Sequence, residues 1–193
     1  MTLLILGLAL FFGLHIYSAV RSRQPGDDLR VRFGEGPYMG LYSIISLIGF
    51  VMIIYGYGAT RGAGLLYVPP TWMAHINLVL TMPAMILLVA SQIPAGHIKK
   101  LSKHPMLLAI KLWAVGHLLA NGELNSVLLF GSFLAYAVFD RIMVKRRGDN
   151  GPNSDIALKP LMDLVSVLVG LGVWAVIAIW LHPILFGVVA IPT

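Results

Sequence analysis

An all-α, polytopic transmembrane bundle of about six helices is the fold this sequence predicts, and three observations predict it. The 193 residues are 58% hydrophobic and only 11% charged, where soluble domains are nearer about 25% charged. The apolar residues gather into stretches near the length of about 20 residues that a helix needs to cross a hydrocarbon core of about 30 Å. Between the stretches, basic loops alternate with loops almost free of Lys and Arg, the pattern that sets orientation in a membrane. No extended polar region interrupts the pattern, so residues 1–193 read as one membrane domain.

The first predicted helix covers residues 2–20, TLLILGLALFFGLHIYSAV, with His15 inside it. A cleaved signal peptide carries positive charge before its apolar core. Here Arg21, Arg23, Arg30 and Arg32 come after it, so the segment reads as retained, with its N-terminus outside. A Gly-, Pro- and Asp-rich loop, Gln24 to Pro37, follows. The second helix, residues 39–59, has Ser43, Ser46 and Gly49 at three-residue spacing, small side chains that let helices approach closely in lipid. A turn-rich connection from Gly58 to Pro70 holds Arg61 alone.

The third helix, residues 71–92, has His75 near its start and Pro83 inside it. Proline there predicts a kink or a local gap in the backbone bonding. A short basic loop, PAGHIKKLSKHP, leads to the fourth and central helix, residues 104–120. Pro105 suits its first turn, where a missing N–H costs nothing. A brief turn reaches the fifth helix, residues 125–143, in which Gly131 and Ala135 form a small-xxx-small pair. The polar stretch KRRGDNGPNSDIALKP reads as a flexible loop. The sixth helix, residues 161–189, is long for one crossing and is expected to tilt or to break near His182-Pro183. Gly170 and Gly172 there permit close packing, and no internal repeat is evident.

Basic residues fix the topology. The first loop has four (Arg21, Arg23, Arg30, Arg32), the third three (Lys99, Lys100, Lys103) and the fifth five (Arg141, Lys145, Arg146, Arg147, Lys159), against Arg61 alone in the remaining loops. Only an even number of spans with both ends on the outer face fits this division. The net charge of +6 is thereby accounted for by the membrane, and direct nucleic-acid binding is not expected. The absence of cysteine excludes disulfides, thiolate metal sites, iron–sulfur clusters and c-type haem attachment.

This topology sorts the histidines into two layers. His15, His97 and His104 fall toward the basic face; His75, His117 and His182 fall toward the other. Ionisable groups at membrane depth are costly and mark functional sites, and imidazole ligates metals and b-type haem iron. A histidine near a helix end also has a plain interfacial reading, which suits His97 and His182 best. Trp113, His117 and Asn121 share one helix face at i, i+4 and i+8, an aromatic wall, an imidazole and an amide that together suit a pocket lining. His104 and His117 point about 140° apart and lie roughly 20 Å apart along the helix, so they do not serve one small site together. Lys111 either snorkels to the basic interface or is a cation placed for a carboxylate, such as a haem propionate or an acidic substrate. No His-x-x-x-His or Glu-x-x-His pair occurs, which disfavours zinc and di-iron sites. No two carboxylates sit at membrane depth, which disfavours a proton-coupled pump, and no phosphate-binding glycine motif occurs in a strand–helix context.

The segments LFFGLHIYS, SKHPM…LWAVGHLLANGE and LFGSFLAYAVFDR, with the six-helix layout, resemble the NnrU family of small bacterial membrane proteins over essentially the whole chain. The KHP…GH…NG block is the most specific part. The resemblance implies a link to nitrite and nitric oxide reduction in denitrifying bacteria. The family is also similar to zeta-carotene isomerase, which depends on b-type haem. Carried over by position, this implies haem b with His15 and His117 as axial ligands and His104 as a third ligand or pocket residue. An offset of about 10 Å between His15 and His117, in a core of about 30 Å, leaves His15 with His104 and His75 with His117 as rival pairs.

Three functions follow as expectations: a haem b membrane protein acting with denitrification proteins, in a redox or an isomerase-like role on an apolar small molecule; a small permease or exporter; and a non-catalytic assembly factor. Histidines on two helices without carboxylates favour the first. A permease would use a helix broken at mid-depth, for which Pro83 is the place.

Overall fold

The structure is a computed structural model in which residues 1–24, 26–153 and 155–191 are described. Pro25 of the first loop, Ser154 of the fifth, Pro192 and Thr193 lie outside the described residues. Five helices are long and apolar enough to cross a membrane, and a further apolar helix, Pro105–Ala120, is shorter. Among the described residues no β-strand forms; Leu65 and Glu123 make an isolated bridge. The chain is thus an all-α, polytopic membrane protein, as its composition requires. It divides into two compact units, Met1–Gly64 and Leu65–Thr193.

The first unit is a helical hairpin. Helix α1 (Thr2–Val20) and helix α3 (Glu35–Gly58) pack against each other, with the short helix α2 (Leu29–Phe33) between them in sequence. Glycine makes the approach possible. A Cβ on Gly7 would lie 2.8 Å from the Ile53 nitrogen, and one on Gly49 would lie 3.0 Å from the Phe11 nitrogen. Gly56 meets the backbone of Leu3 and Leu4 in the same way. The contact stripe of α3 therefore runs through Gly49, Ile53 and Gly56, all buried. Ser43, expected in that stripe, is exposed. The α3 helix also starts four residues earlier than the expected 39, because Pro37 falls in its first turn, where no N–H is needed.

The first loop is more ordered than its composition suggests. Asp28 caps α2 by accepting the Arg30 N–H at 3.0 Å and pairs with Arg21. Burial works against the Asp28 charge, but bonds from Arg21 and from the Arg30 amide, with both guanidinium charges, hold its carboxyl below the usual range.

In the second unit, helix α4 (Trp72–Gln92) is followed by the short helix α5 (His97–Ser102), helix α6 (Pro105–Ala120) and helix α7 (Leu124–Arg146). Helix α8 (Pro160–Val176), a π turn (Ile177–Leu181) and helix α9 (His182–Phe186) complete it. The contacts run α7 to α6, α6 to α4, and α4 to α8. Ala84, Leu87 and Ala109 form the buried centre between α4 and α6, with Leu112 and Trp113 against it. Gly170 is the close-approach point of α8, where a Cβ would lie 2.6 Å from the Ile86 Cα; Gly172 faces open space. Gly131 also faces open space and Ala135 is exposed, so that expected pair makes no helix contact; the buried positions of α7 are Asn125, Ser126, Phe130, Ala137 and Val144.

Two proline expectations resolve differently. The α4 helix runs unbroken from Trp72 to Gln92 through Pro83, so it offers no broken helix. Before Pro183 the last span widens instead: the His182 N–H bonds to the Ile177 carbonyl, five residues back, and a left-handed Gly187 ends α9 well before the expected 189. Proline cannot donate to the carbonyl four residues earlier, and a π turn absorbs the mismatch. Helix α6 has 16 residues, about 24 Å of helix, short of a full crossing.

Candidate functional site around His117 and its counterpart at His15

Both ends of α6 are fixed by other segments. At the start, Ser102, Lys103 and His104 make a tight γ-turn, with Lys103 at φ 61 and the His104 N–H 2.6 Å from the Ser102 carbonyl. Pro105 denies His104 the helical conformation, so the KHP sequence turns the chain sharply between α5 and α6. At the other end, the Tyr67 hydroxyl bonds to the carbonyls of Leu118 and Asn121, at 2.9 Å for the latter. The Leu66 N–H meets the Gly122 carbonyl at 2.8 Å. A side chain at Gly122 would overlap the Tyr67 carbonyl, which explains glycine in the turn after Asn121. Burial pushes the Tyr67 hydroxyl above its ordinary value, keeping it a donor.

These contacts set the levels of the histidines in the second unit. Gly116 of α6 lies against Asn77 of α4, which puts His117 and His75 at similar levels. Trp174 of α8 donates to the Thr81 hydroxyl at 3.1 Å, so the continuation of α8 carries His182 toward the same end. The opposite end holds His97 and His104, beside the start of α8 and the segment after α7. The two-layer division therefore holds inside this unit.

His117 sits in an aromatic box. Its ring stacks on Phe130 of α7 at 4.6 Å and lies 5.2 Å from Trp113, which meets Phe130 and Phe133 edge-on. Its Nδ1 lies 2.8 Å from the Trp113 carbonyl. That carbonyl accepts only from a protonated Nδ1, so the lone pair is on Nε2. Asn121 faces the helix rather than a pocket: its Nδ2 donates to the His117 carbonyl at 2.9 Å. His75 is exposed and about 200° round α4 from Asn77, away from the box.

His15 repeats the arrangement in the first unit. Its Nδ1 is 2.7 Å from the Phe11 carbonyl, four residues back, and its ring stacks on Phe11 at 4.1 Å with Tyr42 at 5.4 Å. His104 has the opposite arrangement: its Nε2 bonds to the Asp149 carbonyl at 3.2 Å, which leaves its lone pair on the more hindered Nδ1. Lys111 lies on α6 within reach of the Arg141 charge on α7. Among the described residues no group of three or more His, Asp or Glu side chains is arranged to hold a bare metal ion.

Three residues of this region were not evident from the sequence. Phe130 was one apolar residue among many. Tyr67 lay in a loop far from the helix it caps. Asp163 accepts the His97 and Ile98 N–H groups at 2.9 and 2.8 Å and the His97 ring at 2.8 Å. The usable signal for it was a lone acid at the start of an apolar helix.

Neither a curated protein nor a solved structure matches the chain. The family described as NnrU protein matches it over residues 3–190, a span that includes both aromatic-flanked histidines, and the chain belongs to the NnrU family.

Proposed function

We propose that this NnrU-family membrane protein binds haem b through His15 and His117 and acts in nitrite and nitric oxide reduction in the inner membrane of a bacterium, with both termini periplasmic. The observation that carries the reading is the shared geometry of the two imidazoles. Each sits within an apolar helix and holds its Nδ1 against the carbonyl four residues back. Each therefore carries its lone pair on Nε2. A backbone carbonyl on Nδ1–H is the outer-shell contact that fixes the tautomer and raises the basicity of a histidine ligand. Phe11, Phe130 and Trp113 supply apolar ring surface beside these imidazoles, which suits a flat macrocycle and a low dielectric. When bound, the haem would supply a redox-active iron. The chain's own part is to orient two imidazoles and to exclude water around them.

The test is the visible spectrum of detergent-purified protein expressed with ample haem, oxidised and dithionite-reduced, for wild type, His15→Ala, His117→Ala and His104→Ala. A Soret band with sharp reduced α and β bands, lost in the first two variants and kept in His104→Ala, is expected. Loss only in His104→Ala overturns the ligand pair. A wild type without haem overturns the reading and leaves a permease or an assembly factor.

A further inference from the structure

The basic end of the α6–α7 hairpin holds two cations without counter-ions among the described residues. Lys111 lies six residues into α6, about 9 Å along the helix. Arg141 lies five residues before the end of α7. The two helices are antiparallel, joined by residues 121–123, with Trp113 against Phe130 and Phe133. Side chains lean toward the N-terminus of their own helix. Lys111 therefore leans toward the basic end and Arg141 leans away from it, so the two converge. Their charges act on each other, and the Arg141 Nη1 is buried without a hydrogen-bond partner. The ion pairs found among the described residues involve Arg21, Arg30, His97 and His104, not these two cations.

Two like charges brought together in a low dielectric repel strongly, and a buried guanidinium nitrogen without an acceptor is costly. An anion between them removes both penalties. The surroundings say which anion. Leu108 and Val115 flank Lys111 one turn away on either side, and Val138 and Ile142 flank Arg141; all four are exposed apolar side chains. A free phosphate would leave that apolar rim uncovered. A lipid brings the phosphate and the acyl chains together, and basic sites between transmembrane helices are where acidic headgroups bind.

We propose that Lys111 and Arg141 form a binding site for the phosphate of an anionic glycerophospholipid in the leaflet that faces the basic loops, with its acyl chains along Val115 and Val138. The proposal does not rest on haem. Lys145 and Arg146, exposed at the end of α7, attract the same leaflet without forming the site.

The test is tryptophan-monitored thermal unfolding of delipidated protein in neutral detergent, titrated with phosphatidylglycerol, phosphatidylcholine or inorganic phosphate, with the Soret absorbance recorded alongside. Phosphatidylglycerol is expected to raise the midpoint saturably, and the other two to leave it unchanged. In Lys111→Met/Arg141→Met the affinity should fall at least about tenfold, the cost of one lost charge-assisted bond. Lys145→Gln/Arg146→Gln should stay within about twofold of wild type, as expected for screened surface charges. Equal binding by the first double variant, an equal loss in the second, or an equal response to inorganic phosphate overturns the proposal. Loss of a Soret band in the first double variant with lipid binding intact overturns it in favour of a haem carboxylate at the same cations. Should that variant not fold, Lys111→Gln and Lys111→Arg decide: weakened lipid binding only in the first supports the site, and equal binding in both sinks it.

Discussion

Asp163→Ala removes a carboxylate that ties α5 to α8. Its Oδ1 accepts the Ile98 N–H at 2.8 Å, and its Oδ2 accepts the His97 N–H at 2.9 Å and the His97 Nδ1–H at 2.8 Å. The His97 ring is 65% exposed, so the ring bond contributes little. The two backbone bonds decide the magnitude. The carboxylate is only 21% exposed, and a hydrogen bond to a charged group contributes about 1.5–3 kcal/mol. Taken at the low end for an interfacial site, the pair gives about 3 kcal/mol. For a chain of this length that lowers Tm by about 6–12 °C. Differential scanning fluorimetry on the intrinsic tryptophans of purified protein measures it. Asp163→Asn keeps one acceptor and should fall between alanine and wild type. His97→Ala should shift Tm by less than about 2 °C, the size of a surface ion-pair effect. An Asp163→Ala protein within about 2 °C of wild type, or a His97→Ala protein as damaged as Asp163→Ala, refutes the assignment of the backbone bonds as the source of the stability.

Gly170→Ala places a methyl 2.6 Å from the Ile86 Cα and should destabilise by about 1–3 kcal/mol, whereas Gly172→Ala, inside α8 and facing open space, should stabilise by up to about 1 kcal/mol in the same unfolding assay; similar effects from both would contradict the packing. Lys103→Gly relieves a positive φ of 61 and should raise stability by about 0.5–1 kcal/mol after the entropy of glycine is subtracted; a lower Tm would show that the turn is unstrained. Asp28 has a depressed carboxyl in the folded protein, so its contribution is full above its ordinary value of 3.8 and fades as pH falls through the lower folded value. Asp28→Asn should therefore unfold at lower temperature than wild type near pH ~7, with the gap narrowing as the pH falls below 3.8; a gap that persists unchanged in acid would exclude the ion pair as its cause. Tyr67→Phe removes the hydroxyl that caps α6 and should cost about 1 kcal/mol and raise amide hydrogen exchange at the start of α7; unchanged exchange there would dissociate Tyr67 from the turn.

Hydropathy and the alternation of charge were enough for the helical class and the number of apolar helices, because lipid forces every crossing segment to satisfy its own backbone bonds and to be apolar throughout; the family was legible only in the short motifs such as KHP…GH…NG. The same uniformity hid the packing. The spans carry apolar residues on most faces, so Gly49 and Gly170 could not be told from Ser43 or Gly172 until the neighbouring backbone was in place. The histidines at 15 and 117 were visible as costly residues in apolar runs. That each Nδ1 meets the carbonyl four residues back is a local consequence of helix geometry and rotamer, and it could be read only from coordinates.

What the sequence determined by itself was therefore everything that depends on composition along the chain: a polytopic helical protein, basic loops alternating with loops almost free of Lys and Arg, and proline and glycine at the ends of helices. What only the tertiary structure decided depends on residues far apart in sequence arriving at one place. Asp163 caps α5 across 66 positions, and Tyr67 caps α6 across 54. Each is a polar group whose partner is named by proximity alone. In an apolar medium such a group is stable only once that partner is found, and no periodicity in the sequence says where it will be.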